Sequence, residues 1–155
     1  MTSATVHASA VLVGARAVLI RGPSGSGKSR LALELIESGR SGFLPFARLV
    51  GDDRVHLQVA AGRLLVRPAE ALAGLIEVRG AGILRLHHEP SAVVGLVVDL
   101  AAAERLPDAT QEQAVLEGIS LPRLAVADVT QALPAVLALL TCSREASAGP
   151  DPRIV

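Results

Sequence analysis

The chain has 155 residues, and its 15 basic and 15 acidic side chains give a formal charge of zero. Half of it is hydrophobic, which excludes intrinsic disorder, and the length fits one domain. An even charge balance with 1% aromatic residues excludes the basic, base-stacking surface of a nucleic-acid binder. Of the basic residues, 14 are arginine and one is lysine, Lys28. The single cysteine, Cys142, and a first basic residue as late as Arg16 give no disulfide framework and no secretory leader, so a cytoplasmic location is expected. No apolar run approaches the ~18 residues needed to span a bilayer, so no membrane role is expected, and the mean hydropathy of +0.47 implies a dense core or a core plus a subunit interface.

In chain order, residues 8–13 and 17–21 read as two strands of a hairpin turning at Gly14-Ala15-Arg16. A glycine-rich loop, Gly22–Gly27, leads into a helix over Lys28–Ser38, with Gly39 expected just past its end. A short strand at 47–50 ends at Gly51-Asp52-Asp53-Arg54. Residues 55–59 and 63–66 form a second hairpin about Ala61-Gly62, and 68–74 are a loop or short helical turn. Strands follow at 75–79, 83–86 and 92–98, the last ending at Asp99. A final strand over 120–127 is expected to break at Pro122. A C-terminal helix spans 133–141 with Pro134 in its tolerant first turn. Residues 146–155 read as a flexible tail, leaving 1–145 as one domain. Strands outnumber helices and several adjoin through tight turns, so the expected class is α/β with mixed or antiparallel pairing rather than a regularly alternating doubly wound sheet.

The chemistry concentrates in Gly22-Pro23-Ser24-Gly25-Ser26-Gly27-Lys28-Ser29, which fits G-x-x-x-x-G-K-[ST] between a strand and a helix. Glycines let backbone N–H groups turn toward phosphate oxygens, and the helix N-terminus adds partial positive charge. Lys28 is placed to contact the β/γ-phosphates and Ser29 to ligate Mg²⁺. A guanine-reading Asn-Lys-x-Asp motif needs a second lysine, which the chain lacks, so the leading class is a kinase-like phosphoryl transferase.

Two places compete for the partner carboxylate. Asp99 follows an apolar strand, as a second nucleotide-site aspartate commonly does. Asp52-Asp53 is an adjacent pair whose repulsion a cation would relieve. Glu77 and Arg79 share a strand face, and the glycines beside them suggest backbone approaching a ligand. His7 precedes the first strand, and His56, His87 and His88 read as surface residues.

His7, the loop Gly22–Ser29, Gly51-Asp52-Asp53-Arg54 and Ile76-Glu77-Val78-Arg79-Gly80-Ala81-Gly82-Ile83, in that order and spacing, resemble the catalytic domain of the HPr kinase/phosphorylase family. The resemblance implies a variant phosphate-loop fold shared with phosphoenolpyruvate carboxykinases. It implies ATP- and Mg²⁺-dependent phosphorylation of a serine of HPr, the phosphocarrier of the sugar phosphotransferase system, with phosphorolysis as the reverse reaction. It favours Asp53 over Asp99 as the base that takes the serine proton. It implies Lys28 on the phosphates, Ser29 and Glu77 as Mg²⁺ ligands with Asp52 in support at the metal, His7 as an active-site histidine, Arg123 as the later catalytic arginine, and a hexamer of identical subunits. Longer members carry a further N-terminal domain, and many have glutamate where Arg30 follows Lys28-Ser29. A small-molecule kinase and a catalytically silent nucleotide-binding module are the alternatives.

Overall fold

The computed structural model describes residues 4–101 and 112–142, so the expected tail lies outside the described residues. Strands β1 (Thr5–Val13) and β2 (Arg16–Arg21) form the first hairpin, with Val13 opposite Arg16. Helix α1 (Lys28–Arg40) follows the glycine-rich loop. Then come β3 (Ala47–Gly51), β4 (Arg54–Ala60) and β5 (Arg63–Pro68), a 3-10 turn at Glu70–Leu72, and the two-stranded β6 (Leu75–Val78) and β7 (Gly82–Arg85). Strand β8 (Ala92–Leu100), the hairpin β9 (Gln113–Leu116) and β10 (Ile119–Val126), a 3-10 turn at Val129–Gln131 and helix α2 (Ala132–Thr141) complete the described chain.

Eight strands make one mixed sheet in the order β2-β1-β4-β5-β8-β10-β9, with β3 on β1 and β2 also paired to β8. The β2–β8 and β8–β10 pairings are parallel, and the rest are antiparallel. The path β2–β1–β4–β5–β8 therefore returns to β2, and the strands close on themselves. The α/β class with mixed pairing follows as expected.

Closure separates two cores. Ala8, Ala10, Leu19, Val55, Val66 and Val97 pack inside the curled strands. Val11, Val18, Ile20 and Val98 face outward onto Leu31, Leu35 and Ile36 of α1 and Val136 of α2. Burying each of these branched side chains stabilises the fold by about 1.5–3 kcal/mol. Strand β8 serves both cores through a bulge: Ala17 pairs with Val94 but Val18 with Leu96, leaving Gly95 as the extra residue. Even-numbered residues thus point inward before Gly95 (Ala92, Val94) and toward the helices after it (Leu96, Val98, Leu100). A Cβ at Gly95 would lie 2.7 Å from that of Arg16.

Several boundaries differ from expectation. Strand β1 begins at Thr5, because its first residues pair with β4, so His7 lies within the strand opposite Arg54 rather than ahead of it. Helix α1 runs through Gly39 to Arg40, because Gly39 is small for packing rather than for a turn: a Cβ there would lie 2.8 Å from Ala47 Cβ. Pro122 does not break β10. Residues up to Pro122 pair with β9 and those from Arg123 with β8, so the proline stands where the strand changes partner. Strand β9 was not expected, since its turn uses Glu117-Gly118, both at positive φ, instead of the familiar Asn-Gly.

Candidate functional site

Strand β2 delivers the chain into the loop Gly22–Gly27 and α1 leads it away. Gly27 is the helix N-cap at φ 100, with no side-chain cap and no acidic residue in the first turn, so the helix N-terminus stays electropositive. An added Cβ at Gly27 would lie 2.6 Å from Val129 Cγ2, so the Val129–Gln131 turn closes over the loop only because this residue is glycine. Ser26 Oγ is buried in the loop without a protein hydrogen-bond partner. Lys28, 6% exposed, donates from Nζ to the carbonyls of Gly22 (2.9 Å) and Pro23 (3.1 Å). Its burial lowers the ammonium pKa from the ordinary value, against the opposing pull of Asp53 and Asp52. An uncapped helix end, an orphaned hydroxyl and a buried ammonium on one loop fit a polyphosphate.

Asp52 and Asp53 occupy the corner between β3 and β4 and have opposite surroundings. Asp52 is 4% exposed. It accepts hydrogen bonds from Ser29 Oγ (2.8 and 2.9 Å), from Ser9 Oγ (2.6 Å) and from the backbone N–H of Glu77 (3.2 Å). Asp53 has φ 68, and the Arg54 N–H donates across it to the Asp52 carbonyl at 2.8 Å. This three-residue turn is a strained conformation for a residue with a side chain. It turns the Asp53 carboxylate, 59% exposed, into the open cleft, where His7 Nε2 donates to Oδ1 at 2.7 Å.

The cleft encloses roughly 620 Å³. Ser24, Gly25, Gly27, Lys28 and Ser29 line one side, His7 and Asp53 another, and Glu77, Val78 and Arg79 a third. Three further residues from α1, Arg30, Leu33 and Glu34, complete the wall with Val129. Sequence segments some 20 and 50 residues apart thus meet at one place. Asp52 stands behind the wall and reaches the cleft through Ser29. The oxygens of Ser29 and Glu77, backed by Asp52, are the donor type that a hard cation such as Mg²⁺ would take. Among the described residues no cluster of three or more His, Cys, Asp or Glu side chains forms a self-sufficient metal site.

The remaining expectations fall elsewhere. Asp99 accepts from Arg21 Nε (2.7 Å) and Nη2 (2.8 Å) and from Arg123 Nε (2.5 Å). Neither Asp99 nor Arg123 lines the cleft. Burial would raise the Asp99 pKa, but the two guanidiniums overcome it and hold the carboxyl below its ordinary value. Gly80 and Gly82 adopt φ 89 and 90 in the β6–β7 turn, with open space where a Cβ would stand. Ser9 and Val129 were missed. Ser9 carried a signal, being the one polar residue within the apolar run 8–13, whereas nothing about Val129 distinguishes it in sequence.

Fold and site together define an α/β domain that sets a glycine-rich loop, a helix N-terminus and a buried lysine against a carboxylate–imidazole pair. The sequence matches the family described as the HPr serine kinase C-terminal domain over residues 1–127, and the chain belongs to that family. It is 35% identical over 136 residues to the HPr kinase/phosphorylase of Streptococcus thermophilus, covering 79% of this chain and 41% of that protein. Identity to the Lactococcus lactis HPr kinase/phosphorylase is 44% over 81 residues, 52% of this chain and 24% of the relative. The chain thus spans about two fifths of the S. thermophilus relative and about a quarter of the L. lactis one. The structure of the Hpr(Ser) kinase/phosphatase from Coxiella burnetii has the same fold, with a TM-score of 0.71 at 24% identity over 88% of this chain and 93% of that one.

Proposed function

We propose that this chain is an ATP- and Mg²⁺-dependent phosphotransferase acting on a serine of HPr, with phosphorolysis as its reverse. The carrying observation is that Asp53, paired with His7, faces the Lys28–Ser29 end of the phosphate loop across a single cleft. Family membership supports the reading, and so do the names of the relatives. The fold would be the phosphoenolpyruvate carboxykinase-like variant of the phosphate-loop architecture. Cytoplasmic location and assembly into a hexamer of identical subunits belong to the same proposal; among the described residues no helix is long and apolar enough to cross a membrane.

Each group has a role that follows from its setting. The loop N–H groups and Lys28 hold the triphosphate. Ser29 and Glu77 hold Mg²⁺, and Asp52 fixes the Ser29 hydroxyl. The chemistry a bound Mg²⁺ supplies is neutralisation of charge on the phosphate oxygens. Asp53 takes the proton of the incoming hydroxyl, with the His7 N–H steering its other oxygen toward the substrate. An exposed base is reachable by a serine carried on another protein, which favours HPr over a small metabolite. Arg123 would need to leave Asp99 to reach the phosphates, so it is assigned to that ion cluster first.

The test is incubation with ATP, Mg²⁺ and HPr followed by detection of phosphoserine. Wild type should transfer, and Asp53→Asn should lose about 10²–10⁴-fold in rate. No transfer by wild type, or undiminished transfer by Asp53→Asn, rejects the assignment.

A further inference from the structure

We propose that Ser9 is a positioning residue that holds both carboxylates of the site in their separate roles. The inference rests on the reading of Asp53 as the base.

The argument starts from strand β1. Its first half pairs with β4, from Thr5 opposite His56 to His7 opposite Arg54, and its second half pairs with β3, from Ala10 opposite Gly51. The β3–β4 corner, Asp52-Asp53, therefore stands opposite the stretch where β1 passes from one partner to the other. The Ala8 N–H still reaches the Asp53 carbonyl at 3.1 Å, but the ladder supplies no acceptor for the Asp53 N–H. Ser9 Oγ supplies it at 3.3 Å. The same hydroxyl donates its proton to Asp52 Oδ1 at 2.6 Å. A hydroxyl can do both because it carries one donor and two lone pairs.

The consequences differ for the two aspartates. At Asp53 the bond secures the N–H of a residue held at φ 68, a conformation that persists only where its surroundings impose it. At Asp52 it fixes the carboxylate that in turn accepts from Ser29. Ser9 is 0% exposed and absent from the cleft lining, so it touches no substrate and acts through these two neighbours. Alanine would leave the Asp53 N–H and one lone-pair direction of Asp52 unmatched beside two buried residues, where such losses are costly.

The test compares Ser9→Ala, Ser9→Thr and Ser9→Val in the full chain. Threonine keeps the hydroxyl, and valine has nearly the same shape without it, so a poor fit for the larger side chain affects both alike. Amide hydrogen exchange, read by NMR on the protein without nucleotide, should be at least ~10-fold faster at Asp53 in the alanine and valine variants, with Leu19 and Val97 unchanged. Phosphoryl transfer to HPr should fall about 10–100-fold in kcat with KM for HPr nearly constant, as expected when a supporting hydrogen bond is removed. Threonine should restore both readouts relative to valine. Wild-type exchange at Asp53 in Ser9→Val and Ser9→Ala overturns the proposal, as does a loss that appears wholly in KM. Should wild type transfer nothing to HPr, the functional reading falls, and the exchange comparison alone decides whether Ser9 holds the corner.

Discussion

Replacing Asp99 by asparagine is a direct measure of what the second carboxylate candidate does. Its side chain and that of Arg123 are each 13% exposed, and Arg21 is 34% exposed. The substitution removes the negative charge that Arg21 and Arg123 share across β2, β8 and β10. Breaking a buried ion pair from one side costs ~3–5 kcal/mol. Arg21 can turn its head into water and the asparagine oxygen can still accept one bond, so about 3 kcal/mol is expected for this cluster. For a domain of this size that lowers Tm by about 6–12 °C. The pH dependence has a defined sign. Asp99 is held below its ordinary pKa by Arg21 and Arg123 once their hydrogen bonds outweigh the opposing effect of burial. Its contribution is therefore fully present above the unfolded value near 3.8 and is lost as pH falls through the lower folded value. Calorimetry from pH 7 down to pH 3 should show a large gap between wild type and Asp99→Asn that narrows at the acid end. ATP affinity of the folded variant at 20 °C should match wild type within a few-fold. An unchanged Tm would refute the energetic argument. A folded variant that has lost ATP would instead make Asp99 part of the nucleotide site.

Lys28→Met should weaken ATP binding by about 10–100-fold, the equivalent of one or two charge-assisted hydrogen bonds, with Tm held within a few degrees of wild type. The lysine pKa is lowered by burial, so the unfolded chain binds the proton more tightly. Wild-type stability should then rise as pH climbs from the folded pKa toward the ordinary 10.5, and the methionine variant should lack that rise. Gly27→Ala combines a φ of 100 with a contact of 2.6 Å to Val129, and should destabilise by about 2 kcal/mol or more and abolish ATP binding. Adding Val129→Ala should recover part of the stability by chemical denaturation, since it relieves the contact but not the backbone strain.

What was legible in the sequence follows the range of each signal. The phosphate loop is local, and strand, glycines and helix announce one another within 20 residues. The first hairpin and α1 were legible for the same reason, through period-2 and period-3.6 patterns. Closure of the strands was not, because the β2–β8 pairing joins residues 78 apart and leaves no pattern in either strand. The resemblance separates Asp52 from Asp53 by role, and only their surroundings show a physical reason for it. A buried hydroxyl makes the first a fixed acceptor and a positive φ turns the carboxylate of the second into the open cleft, while the residues themselves are identical. Gly39 shows the opposite failure, since a glycine near a helix end usually marks the turn, and here it marks a neighbour.

The return of β8 to β2 also sets an order of events during synthesis. The phosphate loop leaves the ribosome early, but the strand that delivers it is flanked on one side by a segment about 75 residues later in the chain. Until Ala92–Leu100 has emerged, Arg21 lacks Asp99 and Gly22 lacks the Leu100 backbone against which it packs. A nascent chain halted before residue 90 therefore carries the whole loop motif and should capture no nucleotide, whereas the released full chain should. On the proposed function, competence to hold ATP would come late, when a distant strand closes the ring.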